Sequence, residues 1–313
     1  MASLAASMDA EPPEQHAPSA PSVFVVTGGS HGIGFAACDA LATQASPCVV
    51  IFIGQDMDRG QAAEAKLRRS HLEAQFFFVC VDVSDESCGE LILQCLWKNC
   101  GSRSLISGLL NNAAMNDRES PIARVLAVNV DGVRALSATL LPHMRGGAVI
   151  VNMVNDACVL EASSGAARLA LTAATDLATF EEAREHCLAS WSERARTAQA
   201  KHDPCGWGDK TYTSSKMLLA ALTRVQYADA RFVEHKVTVV GADPGWCRTR
   251  MTEGKSAPLS AAEGADTPVW LLLEAIKLCS QAGDGKEVEP NFQRLASGIY
   301  FERTCYPWDR RYR

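Results

Sequence analysis

The sequence predicts a doubly wound α/β fold, a parallel sheet with helices on both faces, and three observations point to it. Short apolar runs alternate with longer amphipathic stretches from Ser22 onward. The runs are continuously apolar, as in strands buried on both faces, and do not alternate as half-exposed strands do. The first run ends in Thr27-Gly28-Gly29-Ser30-His31-Gly32-Ile33-Gly34, and a helical pattern follows at once.

Val23 to Val26 is the first strand, and the residues after Gly34 form the first helix. Val49 to Ile53 is the second strand, followed by a helix from Asp58 to Arg69 rich in Ala, Glu, Lys and Arg. Phe76 to Val81 is the third, after which Ser84, with acidic residues in the next turn, predicts an N-cap. Gly108 to Leu110 is the fourth, and Ile122 to Arg145 reads as one long helix. Ala148 to Val151 and Val237 to Val240 complete the set of strands. Between the last two the rhythm breaks. From Asp156 to about Lys210 the chain is rich in Ala, Glu and Arg, far longer than the few residues of a usual strand-to-helix connection. A helical insertion over about 156–210 is therefore expected, inside a single domain over 22–313.

Composition narrows the function. With 313 residues, 47% of them hydrophobic, the chain can bury a substantial core. A formal charge of −6 without a basic block argues against nucleic acid as the partner and favours small-molecule chemistry. Twelve cysteines are scattered, with no Cys-x-x-Cys pair and no clustered histidines, which reads as free thiols in a reducing compartment with no metal. Residues 1–21 contain no Lys or Arg and are rich in Ala, Pro and acidic residues, which excludes secretory and mitochondrial leaders and predicts a disordered tail. No window reaches the ~18 to 20 uninterrupted apolar residues of a membrane helix. A cytoplasmic protein that does not enter a membrane is expected.

Two motifs carry chemistry. Tyr212 and Lys216 are four residues apart, so on a helix they share one face. A phenol titrates near ~10, and a close cation favours its ionised form; lowering it by roughly three units takes about 4 kcal/mol. Such a tyrosine exchanges protons near neutral pH. The glycine turn, spaced Gly-x-x-x-Gly-x-Gly, allows close backbone approach and presents the free N–H groups of a helix start to a pyrophosphate. Each motif alone has a plainer reading, a surface helix pair and a structural turn.

Together with other runs they resemble the short-chain dehydrogenase/reductase family, and its carbonyl-reductase branch in particular. The matching runs are Asp82 within Val81-Asp82-Val83, Asn111-Asn112-Ala113-Ala114, Asn129 within Val128-Asn129-Val130, and Asp243-Pro244-Gly245-Trp246-Cys247-Arg248-Thr249. Arg59-Gly60-Gln61-Ala62-Ala63, Glu263-Gly264-Ala265-Asp266-Thr267-Pro268-Val269 and the insertion resemble the branch. The likeness runs from Ser22 to about Tyr306. It implies NADPH-dependent reduction of a small aldehyde, ketone or quinone. Tyr212 would be the general acid, Lys216 would lower its pKa and hold the cofactor ribose, and Asn129 would hold a water linked to Lys216. Contacts to NADP(H) are implied at Gly28, Ser30, His31, Gly32, Ile33 and Gly34, at Arg59, at Asp82 and Val83 near the adenine, and at Asn112 and Ala113. Tyr212 and Lys216 belong to the same set, as do Pro244, Gly245, Trp246 and Thr249 at the nicotinamide and pyrophosphate, with Trp246 also walling the substrate pocket. The insertion covers the surface through which many relatives tetramerise, so a monomer is expected.

The choice of cofactor rests on the end of the second strand. NAD-preferring relatives carry an acidic residue there, where this chain has Gly54. His31 and Arg59 are placed to approach a 2′-phosphate, while Gln55 stands where an arginine is usual and Asp56 and Asp58 add negative charge. Two departures from the family pattern matter more. Asn155 occupies the slot of the catalytic serine, where its amide offers N–H donors to a carbonyl oxygen. Ala114 stands where glycine is usual, and its methyl is expected to crowd the site; Ser163 and Ser164 lie in the insertion with no assigned place. A catalytically weak or inactive dinucleotide-binding protein, with a sensing or partner-binding role, is therefore the alternative reading. Oxidation of an alcohol or an epimerisation on the same fold is also open.

Overall fold

The C-terminal edge of a twisted parallel sheet carries nearly every residue singled out above. The computed structural model describes residues 21–117, 119–158, 160–197, 205–253, 255–280 and 298–308. The expected tail, 1–21, lies outside the described residues except for Pro21, as do 198–204 of the insertion. In chain order the elements are β1 (Ser22–Thr27), α1 (Gly32–Ala45), β2 (Cys48–Gly54), α2 (Met57–Ser70), β3 (Gln75–Cys80), α3 (Cys88–Cys100) and β4 (Ile106–Asn111). There follow α4 (Ile122–Leu126), α5 (Gly132–Leu140), β5 (Met144–Met153), α6 (Gly165–Ala173), α7 (Leu177–Thr197), α8 (Thr211–Ala228) and α9 (Ala230–Glu234). β6 (Thr238–Ala242), α10 (Ala261–Ser280), β7 (Ile299–Phe301) and β8 (Thr304–Tyr306) complete the chain.

The strand order is β3-β2-β1-β4-β5-β6-β7-β8, and all neighbours are parallel except β7 with β8. The order reverses between β1 and β4, so a crevice opens there beyond the strand ends. One face of the sheet packs Phe24, Phe52 and Val240 against Cys38 and Leu41 of α1 and Leu271 and Leu272 of α10. The other packs Val25, Ile51 and Ile150 against Ile92 and Leu96 of α3 and Leu136 and Leu140 of α5. A third cluster joins α4 and α8 to the insertion through Leu126, Leu218, Leu222, Phe180 and Trp207. At about 1.5–3 kcal/mol for each fully buried large apolar side chain, these three layers supply the main favourable term of folding.

Several expectations need correction. Val81 lies just beyond β3, its N–H still bonded to Gly54 O (3.0 Å), and Val237 precedes β6, its N–H held by Phe232 O (2.9 Å). Ser84 is not an N-cap. Its N–H and hydroxyl both donate to Asp82 Oδ1 (2.9 and 2.8 Å), and the helix begins four residues later. The long helix is not uniform: a π-helical segment, Ala127–Asp131, separates α4 from α5, a 3₁₀ turn at Leu141–His143 contains Pro142, and Met144 and Arg145 belong to β5. The stretch Ile122–His143 is apolar and long enough to pass for a membrane helix, but 61% of its most apolar window is buried in the fold. The sequence reading also missed β7 and β8.

Candidate functional site

At the glycine turn, Gly28 and Gly32 have φ of +68° and +58°, the left-handed region that favours glycine. Gly34 is required for space: a Cβ there would lie 2.3 Å from Gly28 O and 2.5 Å from Asn112 Nδ2. Asn112 pins this turn, donating from Nδ2 to Thr27 O (2.9 Å) and Gly28 O (3.3 Å), while Ala113 N–H donates to Thr27 Oγ1 (2.9 Å). Ile33 and Gly34 fall in the first turn of α1, which has no acidic residue and no side-chain cap from His31. Its leading N–H groups and dipole therefore face the crevice. Burial pushes the His31 imidazole below its ordinary pKa, and the cations Arg59 and Arg250 push it further.

Beyond β2, Ser30 Oγ would sit 3.2 Å from a Cβ on Gly54. Asp56 caps α2 by accepting from Arg59 N–H (3.0 Å) and also pairs with the Arg59 guanidinium (2.8 Å), which offsets much of that cation's charge. Asp82 is more heavily engaged. Gln55 Nε2 and Arg124 Nη2 donate to its Oδ2 (2.8 and 2.5 Å), and Arg124 also reaches Ser84 Oγ (2.8 Å). Burial works against its carboxylate, but the Ser84 N–H and the Arg124 guanidinium outweigh it and hold the pKa below the usual range. Val83, next to it, is buried.

Tyr212 lies half-buried in the first turn of α8, and Lys216 follows one turn later, almost wholly buried. Lys216 Nζ sits 5.5 Å from the Tyr212 ring centre and donates to Met153 O at the end of β5 (2.5 Å). Asn129 lies in the π segment. Its Oδ1 accepts from Met115 N–H (2.7 Å), and its Nδ2 donates to Met115 O and to Ser215 Oγ (both 2.9 Å). Ser215 in turn donates to Tyr212 O (2.7 Å), so Asn129 is connected to the tyrosine turn through one hydroxyl. Both Nδ2 protons are thus used, and Oδ1 accepts one bond. Asn155 follows β5, with its buried Oδ1 lacking a protein partner.

The protonation pattern also differs from expectation. Burial, then the negative Asp243 and the Cys158 thiol, push the Tyr212 phenol well above its ordinary value. Burial brings Lys216 down to about 8, with Cys158 and Asp243 acting the other way. Desolvation is the largest cause for both groups. Cys158 itself is raised to about 12 by burial.

The roof is formed by residues 244–253 and 255–259. Gly245 (φ +73°) donates to Asp243 Oδ1 (2.8 Å), Trp246 next to it is half exposed, and Thr249 and Thr252 bond reciprocally at the start of a 3₁₀ turn. The Thr249 methyl comes within 3.5 Å of a Cβ placed on Gly32, so this loop closes over the glycine turn. Pro244 O accepts from Cys247 Sγ (3.1 Å).

A profile described as short chain dehydrogenase matches residues 22–185. The chain belongs to the short-chain dehydrogenase family. It is similar to Carbonyl reductase [NADPH] 1 of Oryctolagus cuniculus, 32% identical over 270 residues that cover 82% of this chain and 92% of the relative. It is also similar to Carbonyl reductase [NADPH] 1 of Homo sapiens, 29% identical over 263 residues covering 80% and 90%. Among solved structures, salutaridine reductase of Papaver somniferum shares the fold, with a TM-score of 0.67 at 23% identity over 80% of this chain and 95% of that one.

In this short-chain dehydrogenase the fold brings Tyr212, Lys216 and Asn129 together, and sets the glycine turn against Asn112, Ala113 and Thr249. Ser163 and Ser164 are engaged inside the insertion, Ser163 on Leu160 O (2.7 Å) and Ser164 N–H on Gly206 O (3.3 Å). Ala114 is half-buried beyond β4. Sequence reasoning missed Arg124, Ser215, Cys158 and Arg250. Ser215 had a signal, a hydroxyl inside the Tyr-to-Lys spacing; the arginines had none, since each meets its partner only across the fold.

Proposed function

We propose that this chain is an NADPH-dependent reductase of a small aldehyde, ketone or quinone, with Tyr212 as its general acid. The observation that carries the reading is the chain of contacts Asn129, Ser215, Tyr212 on the face that also holds buried Lys216, at the strand ends beside the glycine turn. The cofactor fits the residues present. The Gly34 cradle, which a methyl group would fill, and the open first turn of α1 suit a pyrophosphate, and His31, Arg59 and Arg250 suit a 2′-phosphate near Gly54. The relatives' names, carbonyl reductase [NADPH], support the same cofactor.

When bound, NADPH supplies the hydride that reaches the carbonyl carbon. Tyr212 donates its phenol proton to the carbonyl oxygen, so that C=O, hydride and proton become an alcohol. A phenol pushed up by burial keeps its proton through neutral pH, the form needed for donation, though as a weaker acid than a free phenol. Lys216 supplies positive charge to the phenolate left behind and is oriented by Met153 O. Asn155 offers an amide N–H to polarise the oxygen, and its buried, unpartnered Oδ1 supports a ligand group completing its bonds. Asn129, tied to the tyrosine turn through Ser215, would hold a water linked to Lys216. Trp246 supplies an aromatic wall.

We read 22–313 as one catalytic domain and the protein as a monomer, since insertion residues such as Phe180 and Trp207 already cover α8; a tetramer in light scattering would contradict this. Eleven cysteines, among them Cys38, Cys48 and Cys158, are in no disulfide, which supports a cytoplasmic location. The rival reading is a dinucleotide-binding protein without turnover, favoured by Asn155 in place of a serine. Purified protein assayed for NADPH oxidation with a quinone and an aromatic aldehyde, beside Asn155→Ser, separates the two. Turnover by the wild type supports the reductase; NADPH binding with turnover only in Asn155→Ser supports the rival.

A further inference from the structure

The helical insertion does more than cover α8. Along α7, Arg184, Trp191 and Arg194 recur at helical spacing and each reaches off the helix to a different segment of the site. The Arg184 guanidinium makes two bonds to the Asp131 carboxylate (2.7 and 2.6 Å), and Asp131 ends the π segment two residues after Asn129. About 10 Å further along the helix, Trp191 Nε1 donates to Ser214 Oγ (2.9 Å), two residues after Tyr212, and Ser214 Oγ donates to Trp207 O (2.8 Å). Arg194, almost wholly buried, stacks on the Trp191 ring (4.1 Å) and donates to Gly208 O (2.7 Å). Trp207, fully buried, donates from its indole to His186 Nδ1 (3.0 Å), again on α7.

Tyr212 occupies the first turn of α8, where backbone groups lack intrahelical partners and helices fray. A proton donor there needs support from outside its own helix. The ties from α7 converge on residues 207–214 on one side and on the π segment of Asn129 on the other, two segments that also meet through the Ser215 hydroxyl and through apolar packing of Val130 with Trp207 and Met217. We infer that α7 is a splint that fixes Tyr212 relative to Asn129, with Arg184 and Trp191 as positioning residues for proton transfer. The inference rests on the reading of Tyr212 as the acid.

The test uses the full chain and the variants Trp191→Phe, which keeps the ring for Arg194 but removes the N–H, Arg184→Met and Arg184→Lys. Three quantities are measured: kcat and KM with an aromatic aldehyde, the NADPH Kd by fluorescence, and backbone hydrogen exchange by mass spectrometry. Trp191→Phe and Arg184→Met are expected to lower kcat about tenfold each, leave the NADPH Kd within about twofold, and speed exchange in 207–216 and 127–131. Arg184→Lys should restore part of the loss, and the double variant should lose less than the product of the singles, because both act on one geometry. Unchanged kcat, or exchange that rises evenly across the sheet, would overturn the splint. Exchange needs no turnover, so faster exchange confined to those segments supports the splint even in a wild type without reductase activity, where the acid reading alone would fail.

Discussion

Raising the pH should switch the reaction off through Lys216. Its ammonium is buried and brought down to about 8. With that value about nine-tenths of the molecules carry the charge at pH 7 and about one-tenth at pH 9. If the charge is needed to receive the phenolate, kcat for reduction at saturating NADPH falls about tenfold between those two pH values. The sign of the stability effect is opposite. The lysine binds its proton less tightly folded than unfolded, where it titrates near ~10.4, so its favourable contribution is complete above ~10.4 and is lost as the pH falls through about 8. The cost at pH 7 is about 3 kcal/mol. Lys216→Met removes it, so the stability of the wild type relative to that variant should rise by roughly 2 to 3 kcal/mol between pH 7 and pH 10. The comparison must be differential, because buried thiols such as Cys48 and Cys88, raised to about 11 and about 12, lose their own contribution over the same range. Urea unfolding of both proteins across the pH series, beside kcat, is the assay. A kcat flat to pH 10, or a stability difference that does not move with pH, refutes the reasoning.

Gly34→Ala places a methyl 2.3 Å from Gly28 O, and overpacking of that kind costs roughly 1–3 kcal/mol; thermal unfolding should show the loss, with weaker NADPH binding by fluorescence, and normal binding would remove the cradle from the account. Arg250→Met is expected to weaken NADPH about tenfold while leaving NADH within about twofold. Arg59→Met should do less, because Asp56 already offsets that charge; equal effects of both substitutions on NADPH and NADH would mean that neither cation meets the 2′-phosphate.

The strands were legible because each is a continuous apolar run, and the glycine turn because no other residue type satisfies Gly28 and Gly34 together. β7 and β8 were not, since three residues each carry no periodicity and their identity as strands depends on pairing with β6 and with one another. The start of α3 was misplaced because the Ser84 hydroxyl has a competing partner in Asp82, a choice that spacing does not reveal. The π segment was hidden for a similar reason: an extra residue in a helix leaves the apolar pattern nearly unchanged. At the site, the Tyr212 and Lys216 spacing gave the shared face, but the direction of their titration depends on burial, Asp243 and Cys158, which come from other parts of the chain. Asp82 was found and its partners were not, because Arg124 and Gln55 reach it from two other elements.

The most direct measurement of the central claim is the rate of NADPH oxidation with an aromatic aldehyde by Tyr212→Phe, paired with its NADPH affinity. The account predicts turnover lowered by about 10² to 10⁴ with NADPH binding within about twofold of the wild type. Turnover equal to that of the wild type would contradict it.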